Sequence, residues 1–344
     1  AVRSNRLTGQ HNEVLVRDFN NITAEYEMKM DQIFKAENNM DFTASDKIVD
    51  YGIANSMDIH GHTLIWHNAT PTWVENFSGT NVETYITTVV KRYAGKVRSW
   101  DVVNEAVEDG SNSLRNSVFK LKMGDDYIEK CYQFARNADP NALLFYNDYN
   151  ITFDAGKQAS VFALVDDLKS KNLIDGIGAQ MHISIDFPTK AQIESVVNGT
   201  ISRGLLIHFS ELDVRVNPNN DITSLTEERE IAQQNKVKEV VEIYDAIPNA
   251  NKFAITIWGM RDSESWLPDF LSKFILLLVL VMQFEGCSSK QESIENDIIF
   301  STLNNTQTGI DFKNILTEND SLNYFTYSYL YMGGGVSTGD INND

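Results

Sequence analysis

Two glutamates carry the chemistry that this sequence offers most plainly. Glu105 ends the run Ser99-Trp100-Asp101-Val102-Val103-Asn104-Glu105, and Glu211 stands in Leu205-Leu206-Ile207-His208-Phe209-Ser210-Glu211-Leu212-Asp213. Each follows a short apolar run of the kind that forms a buried strand, so each carboxyl should emerge where its strand leaves the core. A pair of carboxyls delivered by two strand ends is the minimum equipment for breaking a glycosidic bond. One group must be held protonated as an acid, and the other must stay ionised as a nucleophile or base. A single glutamate at a strand end is more often a solvated cap; the neighbours of these two change the balance.

All five tryptophans, Trp66, Trp73, Trp100, Trp258 and Trp266, fall in or just after strand-like runs. Large flat side chains at strand ends suit stacking on the apolar C–H faces of sugar rings. Core packing is the commoner role for any one of them. Trp258 and Trp266 read as a binding wall, because the loop between them is polar and Gly259 allows close approach. Four of the six histidines, His60, His62, His67 and His182, also lie at strand ends. His60-Xaa-His62 puts two imidazoles on one face of a strand, which admits a metal site, but the only acidic residue close by is Asp58. The alternative is that His182 hydrogen-bonds the nucleophile while Asp213, on the same side of the strand as Glu211, orients it. Glu25 and Lys29, in Glu25-Tyr26-Glu27-Met28-Lys29, follow the first complete strand, where they suit hydrogen bonding to sugar hydroxyls as well as plain solvation.

The elements that must position these groups alternate. Strand-like runs cover Phe19–Thr23, Ile59–Trp66, Trp100–Asn104, Ala142–Asn147, Gly176–His182, Leu205–Leu212 and Phe253–Trp258. Helical spacing covers Asp46–Ser56, Val82–Tyr93, Asp126–Asn137, Lys157–Lys171, Lys190–Val197 and Glu227–Tyr244. Strict strand–helix alternation implies a parallel sheet covered by helices, and over this length a (β/α)8 barrel is the expected α/β architecture. Ala1-Val2 reads as the last residues of an eighth strand, and the abrupt start without Met as a processed or truncated piece.

A chain of 344 residues with 42% hydrophobic and 22% charged residues has the composition of an ordinary globular protein. Its net charge of −19 argues against nucleic acid or an anionic membrane as principal partner. Cys131 and Cys287 stand in unrelated contexts, so neither a disulfide framework nor a cysteine zinc cluster is expected.

The character changes after Asp269, dividing the chain into a catalytic part at 1–270 and a tail at 271–344. Ser272-Lys273 leads into the apolar run Phe274–Met282 and then Gly286-Cys287, the layout of a bacterial lipoprotein signal; a buried helix covering the barrel is the competing reading. A membrane partner is expected only if that segment acts as such a signal. The tail ends with Asp340, Asn342 and Asp344 at alternating positions, like the first ligands of a calcium loop, or simply a Gly/Asp-rich turn.

Taken in order, these segments resemble glycoside hydrolase family 10, the retaining endo-β-1,4-xylanases, from Ala1 to about Pro268. The motifs are Thr23-Ala24-Glu25-Tyr26-Glu27-Met28-Lys29, Gly61-His62-Thr63-Leu64-Ile65-Trp66-His67 with Pro71 and Trp73, Trp100–Ala106, Tyr146–Asn150, Gly176–His182 and Ser210–Asp213. The resemblance implies Glu105 as general acid and then base, with a raised pKa, and Glu211 as the nucleophile of a glycosyl-enzyme intermediate. It implies Asn104 on the sugar 2-hydroxyl, and Trp66, His67, Gln180 and His182 around the reacting sugar beneath Trp258 and Trp266. Glu25 and Lys29 would hold the next sugar, and Tyr149 would lie toward the leaving group. Xylan or xylo-oligosaccharide is the implied partner, with no cofactor, as a secreted or cell-surface monomer.

The chain departs from the family pattern at Tyr26, at Ala69, in most of the first strand and in the last helix. The tail resembles the start of a bacterial lipoprotein with FG-GAP or VCBS-type repeats, so the whole reads as a chimera: a barrel lacking most of strand one and its own last helix, followed by an unrelated, poorly ordered tail. The competing functions are a non-catalytic glycan-binding or surface lipoprotein, and a related β-1,4-glucanase.

Overall fold

The computed structural model describes residues 1–111, 113–222, 224–260 and 265–266. One compact unit spans Ala1–Ser265; the second begins at Trp266. The apolar run Phe274–Met282, Cys287 and the calcium-loop candidates Asp340, Asn342 and Asp344 lie outside the described residues.

Seven strands form the ring in chain order: β1 (Asn21–Thr23), β2 (Asp58–Gly61), β3 (Ser99–Asn104), β4 (Leu143–Asp148), β5 (Gly176–Ala179), β6 (Leu206–Arg215) and β7 (Lys252–Ile257). Every neighbouring pair is parallel. Parallel pairing throughout puts every strand's C-terminal end on one rim, so residues far apart in sequence converge there. The eighth position is held by the start of the chain. Val2 bridges to Ala24 in parallel, and the Ala1 nitrogen donates to the Ile257 carbonyl at 2.6 Å. Ala1-Val2 thus touches both β1 and β7, completing a (β/α)8 barrel.

The helices are α1 (Gly9–Asp18), α2 (Thr43–Ala54), α3 (Gly79–Arg92), α4 (Val118–Met123), α5 (Tyr127–Ala138), α6 (Ala155–Ser170), α7 (Lys190–Ser202) and α8 (Glu227–Asp245), with a helical turn at Met30–Ile33. In α3, Val82, Tyr85, Ile86, Val89 and Val90 are buried. Their three- and four-residue spacing makes one apolar stripe, and Ser78 and Asn81 cap the start reciprocally. α1 is absent from the sequence expectation because only Leu15 of its ten residues is buried, too little for a periodic signal.

Two expected strands are each broken. Ile59–Trp66 becomes β2 and a two-residue segment Ile65–Trp66; between them Thr63 donates from its hydroxyl to the Asp101 carbonyl at 2.9 Å. Gly176–His182 becomes β5 and His182–Ser184, parted by Gln180 and by Met181 at φ 62°. Both breaks lie on the rim and turn polar side chains into the barrel mouth. Gly178 in β5 serves the same end: a Cβ there would stand 2.3 Å from Asn147 Oδ1, so its absence leaves room for a side chain that the site uses.

Candidate active site

Glu211 stands within β6, after the fully buried Ile207 and Phe209, and its own side chain is buried at the barrel mouth. Oε1 accepts from Asn147 Nδ2 at 2.8 Å. Oε2 lies 3.3 Å from His182 Nε2, and His182 Nδ1 lies 2.8 Å from Asp213 Oδ2. Strand pairing sets this row, since Asp213 and His182 are direct cross-strand partners. Burial lowers the His182 pKa, but the bonds to Asp213 and Glu211 outweigh it and push it up to about 10. The ring is therefore an imidazolium at neutral pH, donating from both nitrogens. Burial works against ionised Glu211, yet His182, the charge of His62 and the Asn147 amide hold its carboxyl below the ordinary range.

Glu105 follows β3 with φ at 56°, the left-handed region that a non-glycine residue rarely adopts. Oε2 accepts from the Trp66 indole N–H at 2.7 Å. Oε1 accepts from Gln180 Nε2 at 2.9 Å and Asn104 Nδ2 at 3.3 Å. Asn104 Oδ1 in turn accepts from Asn147 at 3.0 Å and from Gln180 at 3.3 Å. A ladder of side-chain amides therefore runs from Glu105 through Gln180, Asn104 and Asn147 to Glu211. The two carboxyls are held in one frame by neutral donors, each anchored to a different strand end.

The other expected residues of the first unit fall around this pair. Lys29 is buried, with Nζ 4.8 Å from the Trp66 ring and 4.6 Å from the Tyr26 ring; burial pulls its pKa down, against the charges of Glu211 and Glu25. Glu25 is gripped by both guanidinium branches of Arg3, at 2.9 and 2.6 Å. His67 lies on the Glu105 side, sharing a narrow recess with Asn104 and Arg115. Burial and the charges of Arg115 and Lys157 lower its pKa to about 4, so it is a neutral ring. Trp258 meets the edge of His62, with ring centroids 5.3 Å apart. Tyr149 accepts from Arg115 at 3.3 Å and stands over the Lys157 ammonium. Trp266 belongs to the second unit and is exposed.

His60 and His62 converge on the buried carboxylate of Asp101, at 3.0 and 2.8 Å. Burial raises the Asp101 pKa, but the two histidines together hold it below the usual carboxylate range. Asp58 is the carboxylate near in sequence, but the partner comes from the neighbouring strand, 39 positions beyond His62. Among the described residues no group of three or more His, Cys, Asp or Glu side chains is arranged to hold a metal.

Asn147, Asp101, Arg3 and Tyr146 were absent from the expected site. Asn147-Asp148 ends an apolar strand as Asn104-Glu105 does, and the same signature could have singled it out. Arg3 has no such signal, because its partner Glu25 is fixed only by the parallel bridge between Val2 and Ala24.

The model of glycosyl hydrolase family 10 matches residues 1–279. This chain belongs to that family. It is 37% identical over 288 residues to endo-β-1,4-xylanase Xyn10C of Cellvibrio japonicus, a match spanning 76% of this chain and 48% of that protein. To endo-1,4-β-xylanase B of Paenibacillus barcinonensis it is 34% identical over 281 residues, 77% of this chain and 84% of that one. A solved structure of a xylanase 10C mutant from C. japonicus in complex with xylopentaose superposes with TM-score 0.74 at 36% identity, covering 78% of this chain and 58% of that one. The chain spans about half the length of Xyn10C.

Proposed function

We propose that this glycoside hydrolase is a retaining endo-1,4-β-xylanase acting by double displacement. Glu105 protonates the glycosidic oxygen while Glu211 attacks the anomeric carbon, forming a glycosyl-enzyme; Glu105 then removes a proton from the incoming water. The observation that carries this reading is the pairing of Glu211 with a charged His182 while neutral amides tie Glu105 into the same frame. A carboxylate beside an imidazolium stays ionised and available to attack.

Asn104, bonded on both sides, presents its amide where a sugar 2-hydroxyl would sit, and Gln180 and His182 line the same sugar. Trp66, with Trp258, supplies apolar faces for stacking. Lys29 and Glu25 bond the next sugar toward the non-reducing end, His67 lines the reacting sugar, and Tyr149 stands on the leaving-group side. One chain supplies every group, so a monomer suffices. Polymeric xylan is too large to enter a cell, so for that substrate we place the working enzyme outside the cell or on its surface.

Reducing-sugar release from xylan tests the reading directly. Glu105→Gln and Glu211→Gln should each abolish it, and the wild-type rate should be bell-shaped in pH. Freshly released ends should be β-anomers by NMR. Release from cellulose as fast as from xylan would move the assignment to a β-1,4-glucanase; α-anomers would remove the double displacement.

A further inference from the structure

Beneath Glu105 lies a set of buried groups that the reaction scheme does not use. Tyr146, Asp148 and Lys157 have no exposed surface. The Tyr146 hydroxyl donates to Asp148 Oδ2 at 2.6 Å and accepts from the backbone N–H groups of Ala106 and Val107, at 3.0 and 3.2 Å. Asp148 Oδ1 lies 2.9 Å from Lys157 Nζ and also accepts from the Tyr149 amide at 2.9 Å. The ammonium completes its set with Asp109 at 2.8 Å and the Tyr149 ring at 3.6 Å. Lys157 reaches inward from the first turn of α6, behind the Asp154 cap.

The amides that Tyr146 receives are those of the two residues after Glu105. A left-handed residue costs energy that its surroundings must offset, and here the offset is specific. With Glu105 at φ 56°, the next two N–H groups meet one phenol oxygen. That oxygen can accept twice only because its own proton goes to Asp148, and Asp148 can accept while buried only because Lys157 neutralises it. Arg115 fastens the same turn from the other side, donating to the Glu105 carbonyl at 3.3 Å.

We propose that Lys157, Asp148 and Tyr146 form a positioning relay that fixes the backbone turn after Glu105, and so sets where its carboxyl stands as acid and base. The relay rests on the role assigned to Glu105 above. None of the three need touch substrate: Lys157 opposes the burial that pushes the Asp148 pKa up to about 6, Asp148 accepts the hydrogen bond of the Tyr146 hydroxyl, and Tyr146 clamps the turn.

The test separates acid catalysis from stability by leaving group. A dinitrophenyl xylobioside loses dinitrophenolate without protonation, whereas cleavage of xylan needs the acid. In one preparation of Tyr146→Phe, kcat/KM on xylan should fall by about 10²-fold, while kcat/KM on the activated glycoside falls no more than a fewfold. Misfolded protein would lower both equally, so the ratio reads position rather than the amount of enzyme. Lys157→Met should shift the ratio the same way and carries the test if Tyr146→Phe does not fold. Equal losses on both substrates, or no loss on xylan, would overturn the relay. If wild type fails on the activated glycoside, or Glu211→Gln retains it, the assignment of Glu105 and Glu211 fails instead.

Discussion

The two carboxyls at the mouth of the barrel are delivered alike and surrounded differently. Glu211 meets a histidine ring that is itself gripped by Asp213, a counter-charge that keeps it ionised. The side-chain donors that reach the Glu105 carboxyl are all neutral: an indole and two amides. Neutral donors orient a carboxyl with far less bias toward its charged form than a cation exerts. In the proposed reaction, the group that must stay negative is paired with a cation, and the group that must gain and lose a proton is held in place by dipoles. The difference between the two halves is therefore a division of labour written in the surroundings rather than in the residue type.

The sharpest way to break that comparison is to remove each carboxyl and vary the leaving group. Glu211→Ala should lose on the order of 10⁴-fold or more on every substrate, because no leaving group replaces a nucleophile. Glu105→Ala should lose about 10²–10⁴-fold in kcat/KM on xylan yet stay near wild type on an aryl xyloside that departs unaided. Azide, which needs no base, should then raise its turnover and give a glycosyl azide, detected by mass spectrometry. If the two variants lose equally on both substrates, the carboxyls do not have separate roles.

A smaller change strips only the counter-charge. His182→Asn leaves Glu211 in place but removes the imidazolium, while the burial that opposes ionisation remains. The Glu211 pKa must then rise, so the acidic limb of kcat/KM should move to higher pH, with a loss of roughly 10-fold at pH 5 and less above pH 7. In wild type the same pairing should fail at the other extreme, where His182 deprotonates at about 10. An acidic limb unchanged in His182→Asn would show that the Asn147 amide and the charge of His62 suffice to keep Glu211 ionised.

Much of this was legible in the sequence, for a physical reason. Parallel strands carry polar residues to the rim, so Glu105, His182 and Glu211 could be read from apolar runs, whereas Asn104 and Gln180 came only through the family resemblance. The barrel followed from alternation, and the family from the motifs in order. What was not legible was pairing across strands. Asp101 lies one strand from His60 and His62, Asn147 bridges Asn104 and Glu211, and Arg3 takes Glu25; each partnership depends on register rather than on local pattern. The broken strands escaped for a related cause, since Thr63 and Gln180 satisfy backbone or side-chain groups of another strand instead of continuing their own.

The finest version of the comparison uses two histidines that serve strand β6. His182, at its outer end, is charged; His208, three residues before Glu211, is fully buried and neutral. His208 Nε2 lies 2.8 Å from the Thr256 hydroxyl, and His60, Phe145 and Phe253 enclose the ring, the His60 centroid at 4.9 Å. Burial, then the charge of His60, pushes its pKa well below the ordinary value. The linkage signs are opposite. For His182 the folded pKa is above the unfolded one, so its contribution to stability is full below about pH 6.5 and fades toward pH 10. For His208 the folded pKa is below, so its contribution is full above about pH 6.5 and falls by up to about 1.4 kcal/mol per pH unit beneath it, as the unfolded chain takes up a proton that the barrel refuses. His208→Leu should therefore flatten the drop in stability between pH 7 and pH 5 by about 1–2 kcal/mol in denaturant titrations, while His182→Asn should leave that window unflattened and weaken the fold at both pH values. If His208→Leu keeps the wild-type slope, other groups carry the acid sensitivity, and the contrast between a charged rim and a neutral core does not extend below the site.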